Sequence, residues 1–370
     1  MSMPDRLAVA LLGAMLLFLL SPSECVATDY PAITRKVVLA KAAEGYRWSV
    51  VEAPVPAPGD RQVVVHVRAV ALNRGDLEVL EARGSSDRSG RTIASDAAGT
   101  IVAVGRAVRE FSAGDRVTTT YFRNWVDGPP TAGKLRDAHG ASVDGVFAEY
   151  LVIDETAVTH FPGYLGDEEA ATLPTAGVTA WTALTARGPL SKDDIVLVQG
   201  TGGVSMFATQ IAHAAGARVI VTSSSDEKLA RVKALGASDG INYRTTPQWS
   251  DRVLEITGQH GADVILEVGG KDTVAQSARA LAEFGTLSII GGLTGYGGDL
   301  PAVTLVAKSA TARGVYVGSR ADYRSFAAFL AQHRIHPVVD RVFPFAQLEA
   351  AREYMEAGRF VGKIVVRVGE

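Results

Sequence analysis

The sequence predicts an α/β protein in which a doubly wound parallel sheet binds a dinucleotide and a second, β-rich domain completes the chain. Three observations carry this. Strands alternate with helices from Asp167 onward. A glycine turn stands between a strand and an amphipathic helix at Gln199–Val204. Short strands with few helices fill the chain before that point.

Ile33 to Leu39 and Tyr46 to Glu52 read as two strands around a turn at Gly45, followed by a proline-rich connection, APVPAPGD, at Ala53 to Asp60. Gln62 to Leu72 reads as a longer, alternating strand, with His66 on its polar phase. Asn73 to Glu81 forms a turn and a short helix. Gly99 to Gly105 and Arg116 to Thr120 are further strands. Arg123 to Ser142 is a loop of unusual length, rich in Gly, Pro and charge; such loops are lids, binding loops or mobile segments. Trp125 within it is either part of a lid over an apolar substrate or an anchor for the loop. Val146 to Ile153 closes the region as a strand.

Helices at Asp167–Ala171 and Val178–Ala186, divided by Pro174, lead into the parallel unit. Ile195–Gln199 is an apolar strand. Gly200, Gly202 and Gly203 follow, and then Val204, Phe207, Ala208, Ile211 and Ala215 at helical spacing, with Gly216 as the stop. A pyrophosphate has to approach backbone N–H groups at a helix N-terminus, and a side chain at Gly200 or Gly202 blocks the turn or that approach. The third position of the G-x-G-x-x-G pattern is Ser205, small enough for close helix–strand packing. Arg218–Thr222 is the second strand. Ser224 and Glu227 have capping-box spacing for a helix from Ser225 to Leu235. Ile241–Tyr243, Val264–Val268, Thr286–Ile290 and Arg313–Val317 supply more strands, and the last helix between them runs from Thr273 to Phe284. The tail is a helix (Asp322–Gln332), a strand (VVDRVF), a helix (Gln347–Ala357) and a strand (KIVVRV). Returning this tail to the first domain makes the nucleotide domain, 161–318, an insertion between 28–160 and 319–370.

A net charge of −3 gives no basic surface for nucleic acid or acidic lipid. Residues 1–27 resemble a secretory leader: Arg6, an uncharged run from Leu7 to Leu20, then small residues around Val26 and Ala27. The run is short for a stable membrane anchor, which takes about 20 apolar residues. A true leader places the protein in the periplasm or outside the cell; an uncleaved extension leaves it in the cytoplasm. The only cysteine, Cys25, lies in that leader, so the remainder has no disulfide framework and no thiol nucleophile.

From about Arg35 to the C-terminus the chain resembles the medium-chain dehydrogenase/reductase superfamily, in its zinc-free, quinone-reductase-like branch. The residues that carry this are AVALNRGDL (Ala69–Leu77), SDAAGTIVAVG (Ser95–Gly105), FSAGDRV (Phe111–Val117), PTAGVTAWTAL (Pro174–Leu184), QGTGGVS and GKIVV (Gly362–Val366). The resemblance implies a Rossmann-type doubly wound sheet inserted into a β-rich GroES-like domain, and an oxidoreductase acting on a small molecule. It also implies a homodimer formed through the nucleotide domain, with Leu287–Ile290 as the edge.

Zinc-dependent members place metal ligands where this chain has Asn73, Ser95 and Thr175. Amide and hydroxyl groups serve catalytic zinc poorly, so no metal is expected. NAD enzymes carry Asp or Glu at the end of the second strand, where this chain has Ser223. Ser223, Ser224 and Lys228 suit a 2′-phosphate, and Tyr243 matches an aromatic that relatives use near it; the expected cofactor is NADPH. Beyond Gly200, Gly202, Gly203 and Val204, the resemblance implies cofactor contacts at Thr179, Gly269, Gly291, Val317 and Lys363. Asn73, in place of a metal ligand, and Tyr121, at a strand end, are the candidates for the catalytic role. The expected reaction is reduction of a quinone or α,β-unsaturated carbonyl. A zinc-free alcohol or aldehyde oxidoreductase and a non-enzymatic NADPH-binding protein are the alternatives.

Overall fold

The computed structural model describes residues 30–81 and 87–369. The expected leader lies outside the described residues. Among them, no helix is long and apolar enough to cross a membrane.

The β-rich unit opens with an antiparallel hairpin of β1 (Ile33–Lys41) and β2 (Tyr46–Pro54). There follow β3 (Gln62–Leu72), α1 (Arg74–Glu78), β4 (Asp96–Val104), β5 (Arg116–Thr119), α2 (Ala132–Leu135), β6 (Tyr150–Asp154) and β7 (Val158–His160). The alternation read for β3 does not hold: Val63, Val64, Val65 and Val67 are all buried. The reason is its central place. It pairs with β4, with β6 and with the C-terminal strand, and its side chains pack into two cores, Val63, Val65 and Val67 into one and Ala69 and Ala71 into the other. Pairing near the end of this region starts only at Tyr150, because Val146 and Phe147 bond back to Ile93 instead.

The parallel unit begins with α3 (Asp167–Ala170), a π-turn at Leu173–Gly177 and α4 (Val178–Leu184). Five βα steps and a closing strand follow: β8 (Ile195–Gln199), α5 (Gly203–Ala214), β9 (Arg218–Ser223), α6 (Asp226–Lys233), β10 (Asp239–Asn242), α7 (Trp249–Ile256), β11 (Ala262–Glu267), α8 (Val274–Ala280), β12 (Leu281–Ile289), α9 (Ala302–Lys308) and β13 (Thr311–Gly314). All six strands run parallel, in the order β10-β9-β8-β11-β12-β13. Strand order reverses between β8 and β11, and the crevice at their carboxyl ends is where such sheets bind ligands.

Three local readings are corrected here. The helix expected to reach Phe284 stops at Ala280, because the chain enters β12 at Leu281 opposite Ala262 and turns through Phe284 at φ 58. The cap of α6 is Ser225, whose hydroxyl accepts from Lys228 N, and not Ser224. Leu287–Ile290 is not an edge: β12 is flanked by β11 and β13, and β13 forms the border of the sheet.

The chain returns through α10 (Arg320–His333), β14 (Val339–Pro344), α11 (Leu348–Glu356) and β15 (Lys363–Arg367). β14 and β15 join the β-rich sheet, β15 running antiparallel to β3. Helix α10, although expected with that sheet, packs on α4 and the π-turn. Gly177 makes this possible, since a Cβ there meets the Phe326 ring at 2.5 Å. Phe326 and Phe207 are fully or nearly fully buried against each other. Removing two such rings from water stabilises the fold by about 1.5–3 kcal/mol each.

Candidate active site

A cleft of about 740 Å³ runs between the two units. One end is the glycine turn. Gly200 sits at φ 71, a conformation that glycine adopts without strain, while Gly202 has an ordinary φ and nothing within 4 Å of its missing side chain. No side chain caps α5, so its first-turn N–H groups open onto the cleft. That is an anion cradle of the kind a pyrophosphate needs. Gly203 lines the cleft too, and a Cβ there meets Lys363 Cδ at 2.5 Å, so its hydrogen also makes room for that side chain.

A buried carboxylate braces the turn from below. Glu267 accepts from Gln199 Nε2 (2.8 Å), Gly270 N (2.8 Å), Thr273 Oγ1 (2.6 Å) and the Ser277 hydroxyl. Gln199 is thereby oriented so that its Oε1 accepts from Val268 N and Gly269 N. The residue missing from the expected contacts is thus explained: Gly269 does not line the cleft. It lies tight under Thr273, and its neighbour Val268 lines the cavity instead.

Ser223, Ser224, Lys228 and Tyr243 also line the cleft. Lys228 Nζ donates to Gly358 O at 2.6 Å, spanning the two units. Thr179, Gly291, Val317 and Lys363 line the cleft as well. Val317 holds φ 56, strained for a β-branched residue, and its carbonyl accepts from Thr182 Oγ1 at 2.6 Å.

At the inner end a polar network occupies the positions discussed for a metal. Asp96, fully buried, accepts from Asn73 Nδ2 (2.9 Å), Ser95 Oγ (2.8 Å) and Thr175 Oγ1. Ser95 and Thr175 hydroxyls also lie 3.0 Å apart. Lys363 Nζ donates to Leu72 O (2.7 Å) and Asn73 Oδ1 (2.6 Å) and stands 3.8 Å from Asp96. Burial pushes the Lys363 amine down, partly offset by Asp96 and Asp76. Asp76 caps α1 by accepting from Asn73 N at 2.7 Å, and burial pushes its carboxyl up to about 7.

These donors do not fit a catalytic zinc, which needs three N, S or O ligands left free to bind it. The amide and hydroxyls are committed to one another, and among the described residues no group of three His, Cys, Asp or Glu is arranged to hold a metal. Asn73 lines the cleft with both ends of its amide held by protein groups, Asp96 and Lys363. Tyr121 lines the cleft with its hydroxyl 3.0 Å from that of Tyr316. Burial first, then Tyr316, raises its pKa, so it stays a neutral donor. Trp125 is the loop anchor: it is buried against Phe122 and donates to Gly128 O at 2.7 Å.

Asp76, Asp96, His139 and Tyr316 were not legible as site residues. Asp76 and Asp96 stand beside residues that were singled out, in NRGD and SDAAG. Tyr316 follows the carboxyl end of β13, where the switch-point rule looks for ligands. His139 comes from the long loop, and no local pattern marks it.

The fold and the cleft define the class: a two-domain oxidoreductase. Two protein-family models match, the alcohol dehydrogenase GroES-like domain over residues 59–163 and the zinc-binding dehydrogenase over residues 203–332. A Schizosaccharomyces pombe protein, zinc-type alcohol dehydrogenase-like protein C1773.06c, is 42% identical over 84% of this chain and 91% of its own length. The quinone oxidoreductase of Lama guanicoe is 28% identical over 85% of this chain and 91% of its own. A crystal structure of an NAD-dependent alcohol dehydrogenase superposes with TM-score 0.80 at 31% identity, covering 90% of this chain and all of that one. The chain belongs to the medium-chain dehydrogenase/reductase superfamily, with a GroES-like domain and a Rossmann-like parallel sheet.

Proposed function

We propose that this protein is a zinc-independent, NADPH-dependent oxidoreductase that reduces a quinone or an α,β-unsaturated carbonyl. The observation that carries the reading is the closed Asn73–Ser95–Thr175–Asp96 network, which spends the metal-ligand positions on hydrogen bonds. When bound, the nicotinamide supplies a hydride to the acceptor. The protein's part is to bind, orient and donate hydrogen bonds.

Gly200 to Val204 and the start of α5 would hold the pyrophosphate. Ser223, Ser224, Lys228 and Tyr243 would surround a 2′-phosphate, with no carboxylate at Ser223 to repel it. Thr179, Gly291 and Val317 would border the nicotinamide, and Lys363 and Asn73 fix the floor beneath it. Tyr121, kept neutral by burial, can donate to a substrate carbonyl. Conjugated acceptors need less polarisation than alcohol chemistry demands, which suits a site with these groups.

The names of two relatives, one zinc-type and alcohol dehydrogenase-like and one NAD-dependent, favour a second reading: an alcohol or aldehyde oxidoreductase. A screen of NADPH and NADH against quinones, enones, aldehydes and alcohols separates them. The expected result is NADPH oxidation with quinones or enones, unchanged after chelation and with no stoichiometric zinc. Turnover confined to alcohols or aldehydes, or loss of activity on chelation, sinks the proposal. We also propose a homodimer through the border strand β13 and the exposed Val303 and Val306 of α9. A monomeric mass by sedimentation refutes it.

A further inference from the structure

We infer that His139 is a specificity-determining residue, whose Nε2 accepts a hydrogen bond from the substrate, so that the cleft selects quinones or enones that also carry a hydroxyl group. The inference deepens the reductase reading and rests on it for the class of acceptor.

His139 belongs to the long loop that sequence leaves without a role. Its backbone N–H donates to Tyr121 O at 3.0 Å. The next residue, Gly140, lies against Ala94, where a Cβ meets Ala94 O at 2.8 Å. The loop is thus pinned between the strand end carrying Tyr121 and the entry to Ser95, and His139 lines the cleft. Its Nδ1 stands 2.9 Å from Thr120 O. A carbonyl oxygen only accepts, so Nδ1 carries the proton. Burial lowers the ring's pKa and keeps it neutral. Nε2 then holds a lone pair. No described residue bonds to it, and His139 lines the cleft.

The surrounding polar groups behave differently. Asn73, Ser95 and Thr175 satisfy one another through Asp96, and Tyr121 pairs with Tyr316. A quinone or enone carbonyl brings only lone pairs and is repelled by Nε2. A hydroxyl is matched to it. A histidine that merely packed the loop would gain nothing from leaving this acceptor open, since an unfilled polar atom costs stability where a leucine does not.

The test compares wild type, His139→Leu and His139→Gln on two substrate pairs that differ by one hydroxyl: 4-hydroxy-2-nonenal against 2-nonenal, and hydroxymethyl- against methyl-1,4-benzoquinone. NADPH oxidation gives kcat/KM, and calorimetry with NADP+ present gives Kd. In wild type the hydroxylated member of at least one pair is favoured about fivefold in both, as one neutral hydrogen bond gives. The preference falls to one in His139→Leu and is partly kept in His139→Gln, whose amide oxygen can accept. No preference in wild-type Kd, or the same preference in His139→Leu, overturns the inference. So does nitrogen NMR that finds the proton on Nε2. Discrimination in Kd without turnover removes the reductase reading and leaves His139 in place. Turnover of every probe without discrimination does the opposite.

Discussion

Asp76 gives a pH dependence whose sign and size follow from its position. The carboxyl is buried beneath the cleft, with Asp96 nearby, and its pKa stands at about 7 against an ordinary 3.8. A group whose folded pKa is raised binds its proton more tightly in the native state. Its stabilising effect is complete below the unfolded pKa and is lost as pH rises through the folded one. The span of about three pKa units corresponds to about 4 kcal/mol, lost between about pH 4 and 7. Asp76→Asn keeps an oxygen to accept from Asn73 N and removes the titration. The assay is urea unfolding of both proteins from pH 4 to 8. The stability of wild type relative to the variant should fall by about 4 kcal/mol across that range. A difference that does not change with pH, or that grows with pH, refutes the reasoning.

Gly203→Ala drives a methyl against Lys363, which cannot swing away because Leu72 O and Asn73 Oδ1 hold its amine; a loss of about 1–3 kcal/mol in thermal or urea unfolding is expected. Ser223→Asp should lower the kcat/KM ratio of NADPH to NADH by about ten- to a hundredfold, since charge-assisted contacts are worth about 1.5–3 kcal/mol; an unchanged ratio counts against the proposed 2′-phosphate site. Tyr121→Phe should reduce kcat about tenfold with an enone while leaving NADPH binding intact, as measured by fluorescence titration; wild-type kcat removes Tyr121 from the chemistry.

The parallel unit was legible because its signals are local. A strand, a glycine turn and a helix are each written in consecutive residues, and the turn fell at Gly200–Val204 as read. Errors arose where distant pairing overruled local pattern. Phe284 fits a helix by composition, yet Leu281 is drawn into β12 opposite Ala262. β3 reads as alternating, but neighbours on both sides bury every valine. In the site, the residues named by position line the cleft except Gly269, and their hydrogen-bond partners come from far away in sequence. Gly203 reads as a phosphate glycine, and its closeness to Lys363 shows only in the fold. Asn73 reads as a candidate contact, and its bonds to Asp96 and Lys363 join residues far apart in the chain. His139 depends on a carbonyl of another strand to fix its tautomer, which no single-sequence pattern can show.

The segment before β15 touches the glycine turn directly: Gly362 N donates to Thr201 O at 2.9 Å, and Gly362 pairs with Gly202 as a short parallel bridge. Gly362 has φ 92 and no room for a Cβ beside Val338 O. Backbone bonds of this kind do not stretch, so the bridge couples the glycine turn of the parallel unit to the strand that carries Lys363. A substitution that shifts either segment is therefore felt by the other, across the boundary between the two units.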